Sequence, residues 1–441
     1  MFSKNVCQKV IHFIFLMACP FYLFAQKTEL KNKVDLSADK KYKSEITALA
    51  NKPVIQSAFK IITDLEPQTK KDHITLTEIA APPFKEQKRA EKFREMLQAA
   101  GVDKIWIDKA GNVIALKKGR SGKKTIVIEG HLDTVFPEGT DVTVKQRGDT
   151  LYAPGIGDDT RGLVAVLTIL RAMQKAKINT EADIYFVGTT GEEGLGDLRG
   201  VKELFNGSLP KIDSYISIDG GGSGEIITKA VGSRRYRITY KGPGGHSYGS
   251  FGLVNPHNAS ARAINYFIKD ADVFTKTGIK TTYNIGVMGG GTSVNAIPFE
   301  SWMEVDMRSE SAKRLASIDQ LLKSALQRAL KDENKMKRSG DDLTVDIKII
   351  GERPTGEQSV LLPLIQRCMA SNEVLGLKTS IGVLSTNANL PISRGVPGIC
   401  IGGGGIEGGA HSLNEWWLNK DGRIAIQQAL LLLVAEAGLA D

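Results

Sequence analysis

The chain has 441 residues, 41% of them apolar and 24% charged, with a formal charge of +9. That length exceeds what one hydrophobic core usually serves, so two domains are the default, and the composition excludes a fibrous or low-complexity protein. Lysines and arginines are interleaved with acids, as in "KEQKRAEKFRE" and "KDENKMKRSGDD", without the basic stripe and aromatics of a nucleic-acid surface.

Residues 1–25 carry two lysines, an apolar run and Ala25 before a polar stretch. This is the outline of a secretory signal with cleavage after Ala25, and it places the mature chain in the periplasm or outside the cell. "LMAC" offers lipid attachment at Cys19 as a second reading, and a retained anchor is a third. No other segment has the roughly 20 apolar residues a membrane helix needs. Cys368 and Cys400 remain after processing, too few for a disulfide framework, and pairing and non-pairing are evenly balanced. Residues 26–45 read as a polar linker.

From about residue 46, helix and strand patterns alternate. "EQKRAEKFREMLQAAG" is an amphipathic helix ended by Gly101, "TIVIEG" a buried strand, "TRGLVAVLTILRAMQKA" a helix, and "ADIYFVGTT" and "DSYISID" further strands. This alternation predicts a mostly parallel sheet with helices on both faces. In such sheets ligands bind beyond the carboxyl ends of the strands. His131, Glu192 with Glu193, and Asp219 all stand there.

Near Val231 the order changes to strand, helix, strand, strand, helix, strand, ending in "LTVDIKII", which is the ferredoxin-like order. Residues 231–350 are therefore predicted to be a self-contained insert, with 46–230 and 351–441 forming the surrounding domain. The α/β pattern resumes with the helix "SVLLPLIQRCMAS", the strand "GICIGG" and the closing helix "DGRIAIQQALLLLVAEAG".

His131, Asp158, Glu193, Asp219 and His411 are candidate metal ligands, since imidazole nitrogen and carboxylate oxygen suit zinc. Five protein ligands exceed one open catalytic zinc but suit two ions sharing a carboxylate, roughly 3.5–4 Å apart. Asp133 stands two residues beyond His131, where an extended strand would turn it to the same side. Its carboxylate is expected to accept the second imidazole N–H of His131 and fix the tautomer. Of the adjacent pair Glu192 and Glu193, one can bind metal while the other serves as general base. Asp158 begins a helix, where N-capping is the commoner use of an aspartate. The glycine runs near 194–200 and 402–409 lack the spacing of dinucleotide or phosphate loops.

Taken together, "GHLDTV", "GIGDDTRG", "GEEG", "SIDGG", "GPGGHS", "GTSVNAIP" and "GGAHSLNEW" resemble, in order, the co-catalytic two-zinc metallopeptidases. That family includes peptidase T, glutamate carboxypeptidase, succinyl-diaminopimelate desuccinylase and aminoacylase. The resemblance implies Asp158 bridging two Zn2+ (or Co2+ or Mn2+), His131 and Asp219 on one ion, and Glu193 and His411 on the other. It implies Glu192 as base, Asp133 as orienting residue, and the insert as a lid or homodimerisation domain. His246 of "GPGGHS" would steady the oxyanion, from this chain or a partner subunit. Asn295, Arg308 and Asn387 would contact a short peptide or N-acyl amino acid, with Asn387 standing where the family has aspartate. His73 and His257 match no family ligand and read as surface or helix histidines. The activity implied is di- or tripeptide aminopeptidase, with N-acyl-amino-acid hydrolysis or carboxypeptidase action next. A non-catalytic periplasmic binding protein and a surface-anchored structural protein are rivals; intact ligands and base disfavour the first, and only the signal segment supports the second.

Overall fold

A computed structural model describes residues 36–440; the expected signal segment, with Cys7 and Cys19, lies outside them. The central sheet has nine strands. Four neighbours are parallel and form its middle: Asp183–Thr189, Thr125–His131, Ser214–Ile218 and Gly398–Ile401. Alternate side chains sort to opposite faces, as the two-residue period of a strand demands. Ile126, Ile128, Ile184, Phe186, Ile216 and Ile218 join one core cluster, while Val127, Tyr185, Val187 and Tyr215 join another.

The first face carries the long helices Gln87–Ala100, Thr160–Ala176, Pro363–Val374 and Gly422–Ala437. Helix Thr160–Ala176 is buried almost all round, which explains its apolar composition on every side. The second face is covered by shorter pieces, Arg199–Glu203 and Asn389–Ser393 among them, rather than by a matching helical layer. The expected linker is corrected in its described part. Asp39 accepts from the Lys41 N–H and caps a helix, Lys40–Ala50. That helix is pinned by Lys43–Glu373 at 2.9 Å and Arg367–Glu45 at 2.8 Å, with Ile46 in the core. Cys368 and Cys400 are buried and unpaired. No helix among the described residues is long and apolar enough to cross a membrane.

Residues 232–353 form a second, antiparallel sheet in the order Thr281–Gly290, Glu300–Ser309, Gly232–Lys241, Thr344–Arg353. Helices Pro256–Thr275 and Ala312–Met336 pack on one of its faces over a separate core containing Tyr236, Ile238, Phe267, Met303 and Leu322. Strand Glu300–Ser309 alternates buried with half-buried positions throughout, as a one-sided sheet requires. The last strand runs to Arg353, three residues past the expected boundary at 350, and those residues reach the site described next.

Candidate metal centre

Three parallel strands deliver the site. His131 is the last residue of Thr125–His131, Glu192 and Glu193 follow Asp183–Thr189, and Asp219 follows Ser214–Ile218. His411 comes from the turn between Ile406–Gly408 and Trp416–Leu418, in the left-handed region at φ 65. Asp158 lies at the centre. One of its oxygens is 2.9 Å from His131 Nε2 and the other 3.0 Å from His411 Nε2. Glu193 Oε1 is 2.9 Å from His411 Nε2, and Asp219 Oδ1 is 3.8 Å from His131 Nε2.

Groups of imidazole and carboxylate atoms lying within 4.8 Å of one another include Asp158, Glu193 and His411, and His131 with Glu192 and Glu193. His131, Asp159 and Asp219 form a third such group. Asp159, however, is occupied: it accepts from the N–H groups of His131, Gly162 and Gly220 at 2.8, 2.9 and 3.1 Å. Asp159 is thus the cap of helix Thr160–Ala176, which leaves its neighbour Asp158 free. The buried Oδ1 of Asp158 has no well-formed hydrogen bond despite its closeness to His131. An orphaned carboxylate oxygen between two imidazoles, with carboxylates on both flanks, fits a pair of bound divalent ions.

The electrostatics follow from crowding. Burial, reinforced by the Asp158 charge, raises the Asp219 carboxyl well above its usual range. Burial also opposes ionisation of Asp158, but the His131 imidazole facing one oxygen and the hydrogen bond from His411 to the other outweigh it and hold its pKa low. The same bonds, to Asp158 and Glu193, lift His411 to about 10. Burial works against a charged His131, yet the close Asp158 carboxylate and the other carboxylates around it raise its pKa well above the ordinary value.

The supports differ from expectation at Asp133. His131 Nδ1–H donates to the backbone carbonyl of Asp133 at 2.9 Å, and the Asp133 carboxylate is 3.8 Å from that nitrogen. The tautomer is fixed, but by main chain. The buried Asp133 carboxylate instead accepts the N–H groups of Glu192 and Glu193 at 3.0 and 2.8 Å, shaping their turn. Glu192 is buried and paired with Arg353, whose Nη1 donates to Oε1 at 2.8 Å; Nη2 also donates to the Glu192 carbonyl. Glu415 accepts from Gly155, Gly157 and Asp158 at 2.7, 2.8 and 3.0 Å and so holds the Asp158 loop.

Sequence reasoning missed Asp159, Arg353 and Glu415. The start of the helix at Thr160 was a usable signal for Asp159, and "HSLNEWW" placed Glu415 near His411. Nothing local marks Arg353.

The expected substrate contacts are not gathered here. His246 and Asn295 lie together in the inserted segment, where Gly245–His246 pairs with Ala296–Ile297. Nδ1 of His246 accepts from the Tyr248 and Gly249 N–H groups, and among the described residues it makes no bond to the centre. Arg308 donates to Asp306 on its own strand at 2.7 Å. Asn387 is 1% exposed and donates to Glu129 and Thr189, so in this structure it is an interior residue rather than a substrate contact. His257 begins helix Pro256–Thr275, and its Nδ1 lies 2.9 Å from Ser301 Oγ. His73 lies on helix Glu66–Thr77 and is fully buried, not on the surface.

This centre, set on the carboxyl rim of the sheet, is that of a hydrolase: residues 127–435 match the model of peptidase family M20/M25/M40, and the chain belongs to that family. Among solved structures, a tripeptidase from Staphylococcus aureus subsp. aureus mu50 superposes with TM-score 0.67 at 23% identity, covering 84% of this chain and 99% of its own. YXEP of Bacillus subtilis, described as a dinuclear metal binding peptidase of the same family, gives 0.62 at 16% identity over 86% and 100%. By sequence, YqjE of Bacillus subtilis strain 168, itself uncharacterized, is 28% identical over 230 residues, 51% of this chain and 59% of YqjE. That match spans less than two thirds of the relative's length.

Proposed function

We propose that the protein is an exported two-zinc metallopeptidase that hydrolyses the amide bond of short peptides, acting on di- and tripeptides from the amino end. The observation that carries this reading is Asp158, which offers one oxygen to each of two imidazoles. His131 and Asp219 would hold one ion, Glu193 and His411 the other, and Asp158 both. When bound, such ions polarise a carbonyl and acidify a water.

The chain's own residues perform the proton work. Arg353 occupies Oε1 of Glu192 and so leaves the other oxygen to take a proton from the attacking water. Glu192 then returns that proton to the leaving amine. Asp133, by holding the Glu192 and Glu193 N–H groups, sets base and ligand at a fixed spacing. Support for peptides as substrates comes from the family and from the tripeptidase of the same fold. Export rests on the lysine-bearing, apolar segment 1–25.

The test is metal analysis of the purified mature protein, with hydrolysis of a panel of free di- and tripeptides, N-acylated amino acids and carboxyl-blocked peptides. Two zinc ions per chain and release of amino-terminal residues are expected, and Glu192→Gln should keep the metals and abolish turnover. Cleavage confined to N-acylated substrates or to carboxyl-terminal residues would replace the aminopeptidase reading. Undiminished turnover in Glu192→Gln would reject the base.

A further inference from the structure

Segment 385–389 touches three parts of the molecule that the reaction needs in register. Asn389 Nδ2 donates to the carbonyls of Val231 and Pro354 at 2.8 and 3.1 Å. These residues flank the strands that begin and end the inserted sheet, Gly232–Lys241 and Thr344–Arg353. One side chain therefore holds both crossings between the two sheets. Its Oδ1 accepts from the Thr386 N–H at 3.0 Å, so it is built into the loop itself. Ser385 Oγ accepts from Arg353 Nη1 at 3.2 Å, and the same nitrogen engages Glu192.

Asn387 anchors the loop to the floor of the site. Its Nδ2 donates to Glu129 Oε2 at 3.1 Å and to Thr189 Oγ1 at 2.9 Å. Glu129 is fully buried on the strand that ends in His131, and Thr189 ends the strand that leads to Glu192. Thr189 Oγ1 and Ser217 Oγ also donate to the Glu129 carboxylate. A buried carboxylate needs donors on every side that it faces, and the loop supplies one of them through an amide.

We propose that Asn387, clamped to Glu129, is a positioning residue: through segment 385–389 it fixes the inserted sheet, and with it Arg353, relative to the strands bearing His131 and Glu192. The function of the clamp rests on the peptidase reading above; its mechanical part does not. An aspartate at 387 would set a second carboxylate against Glu129 and push the loop away. Exchanging the two groups, with an amide at 129 and a carboxylate at 387, would restore the attraction.

The experiment compares N387D, E129Q/N387D and N389A with wild type in the zinc-loaded protein. Bound zinc, kcat and KM for the best peptide are measured. So is the spin-label distance between K118C and K276C, two exposed positions, one before the strand bearing His131 and one in the insert. Because a like-charge pair loses its hydrogen bond and gains repulsion, N387D should lower kcat by about tenfold or more at unchanged zinc content. It should also broaden the distance distribution. E129Q/N387D should recover both to within about threefold and to a wild-type width. N389A should broaden the distribution and lower kcat with Glu129 untouched. Wild-type distances in N387D and N389A, no recovery in the double variant, or losses that simply track zinc would overturn the proposal. Failure of wild type to cleave any peptide would refute the peptidase reading while leaving the distance measurement decisive for the clamp.

Discussion

Acid should unfold this protein through His73. The residue is fully buried on helix Glu66–Thr77, its Nε2–H donates to the Ile156 carbonyl at 2.5 Å, and Nδ1 is buried without a partner. The Trp417 ring stands edge-on at 4.9 Å. Only the neutral imidazole with its proton on Nε2 fits, because a second proton would meet no acceptor. Burial, assisted by the Arg161 charge, accordingly lowers the His73 pKa from 6.5 to about 3. Between those values the unfolded chain binds a proton that the native chain refuses. The His73 contribution to stability is therefore complete above pH 6.5 and falls as pH drops toward 3. At about 1.4 kcal/mol per unit the loss is about 2 kcal/mol by pH 5, with a ceiling of about 5 kcal/mol. Against a total of about 5–15 kcal/mol that is a large share. His73→Leu removes the titration and one of two hydrogen bonds to the Ile156 carbonyl, leaving that of Thr160 Oγ1 at 3.3 Å, at a cost of about 0.5–1.5 kcal/mol at pH 7. Urea denaturation across pH 4–7 should give a variant weaker at neutral pH and flatter in its pH dependence. An unchanged slope in His73→Leu would refute the reasoning. Because Ile156 is two residues from Asp158, the same protonation should loosen the Asp158 loop.

What the sequence made legible was whatever depends on periodicity. Helix Thr160–Ala176 and the strands ending at His131, Thr189 and Ile218 follow from local apolar patterns, and the strand-end rule pointed to the rim where the candidate ligands lie. The errors share a cause. Asp133 was read by strand geometry, but the strand stops at His131, so two residues on the chain has already turned and main chain replaces side chain at the imidazole. The cap use weighed against the ligand reading of Asp158 belongs to its neighbour: helix starts are uncertain by a residue, and that one residue separates Asp159, the cap, from Asp158, the candidate ligand. Arg353 and Asn387 were illegible for a stronger reason. Their partners, Glu192 and Glu129, lie 161 and 258 residues away in the chain, so only the closed tertiary structure assigns them. The helix at Lys40–Ala50 was hidden by its lysines: Lys40 and Lys41 are exposed, but Lys43 pairs with Glu373, and Ile46 and Ala50 anchor the helix.

Arg353→Met would leave Glu192 buried without its cation; a loss of about 3–5 kcal/mol in urea denaturation is expected, and a loss under 1 kcal/mol would show that solvent already screens the pair. Glu415→Gln would lose at least one of three N–H bonds to the Asp158 loop. The metal-loaded variant should then surrender its ions to a chelator at about tenfold lower concentration, since supports of metal ligands commonly matter by about 10–100-fold. Metal loading itself should release protons. In the metal-free chain both imidazoles are held protonated at neutral pH, His411 with a pKa of about 10 and His131 raised well above its ordinary value. An ion can take Nε2 only after that proton leaves, whereas the proton on His131 Nδ1 stays with the Asp133 carbonyl. Titration calorimetry in buffers of different ionisation enthalpy should therefore read about two protons released per chain at pH 7, or more if Asp219 also gives one up. Release near zero would mean that the imidazoles are neutral before the ions arrive, and the charge balance drawn around Asp158 would then be wrong.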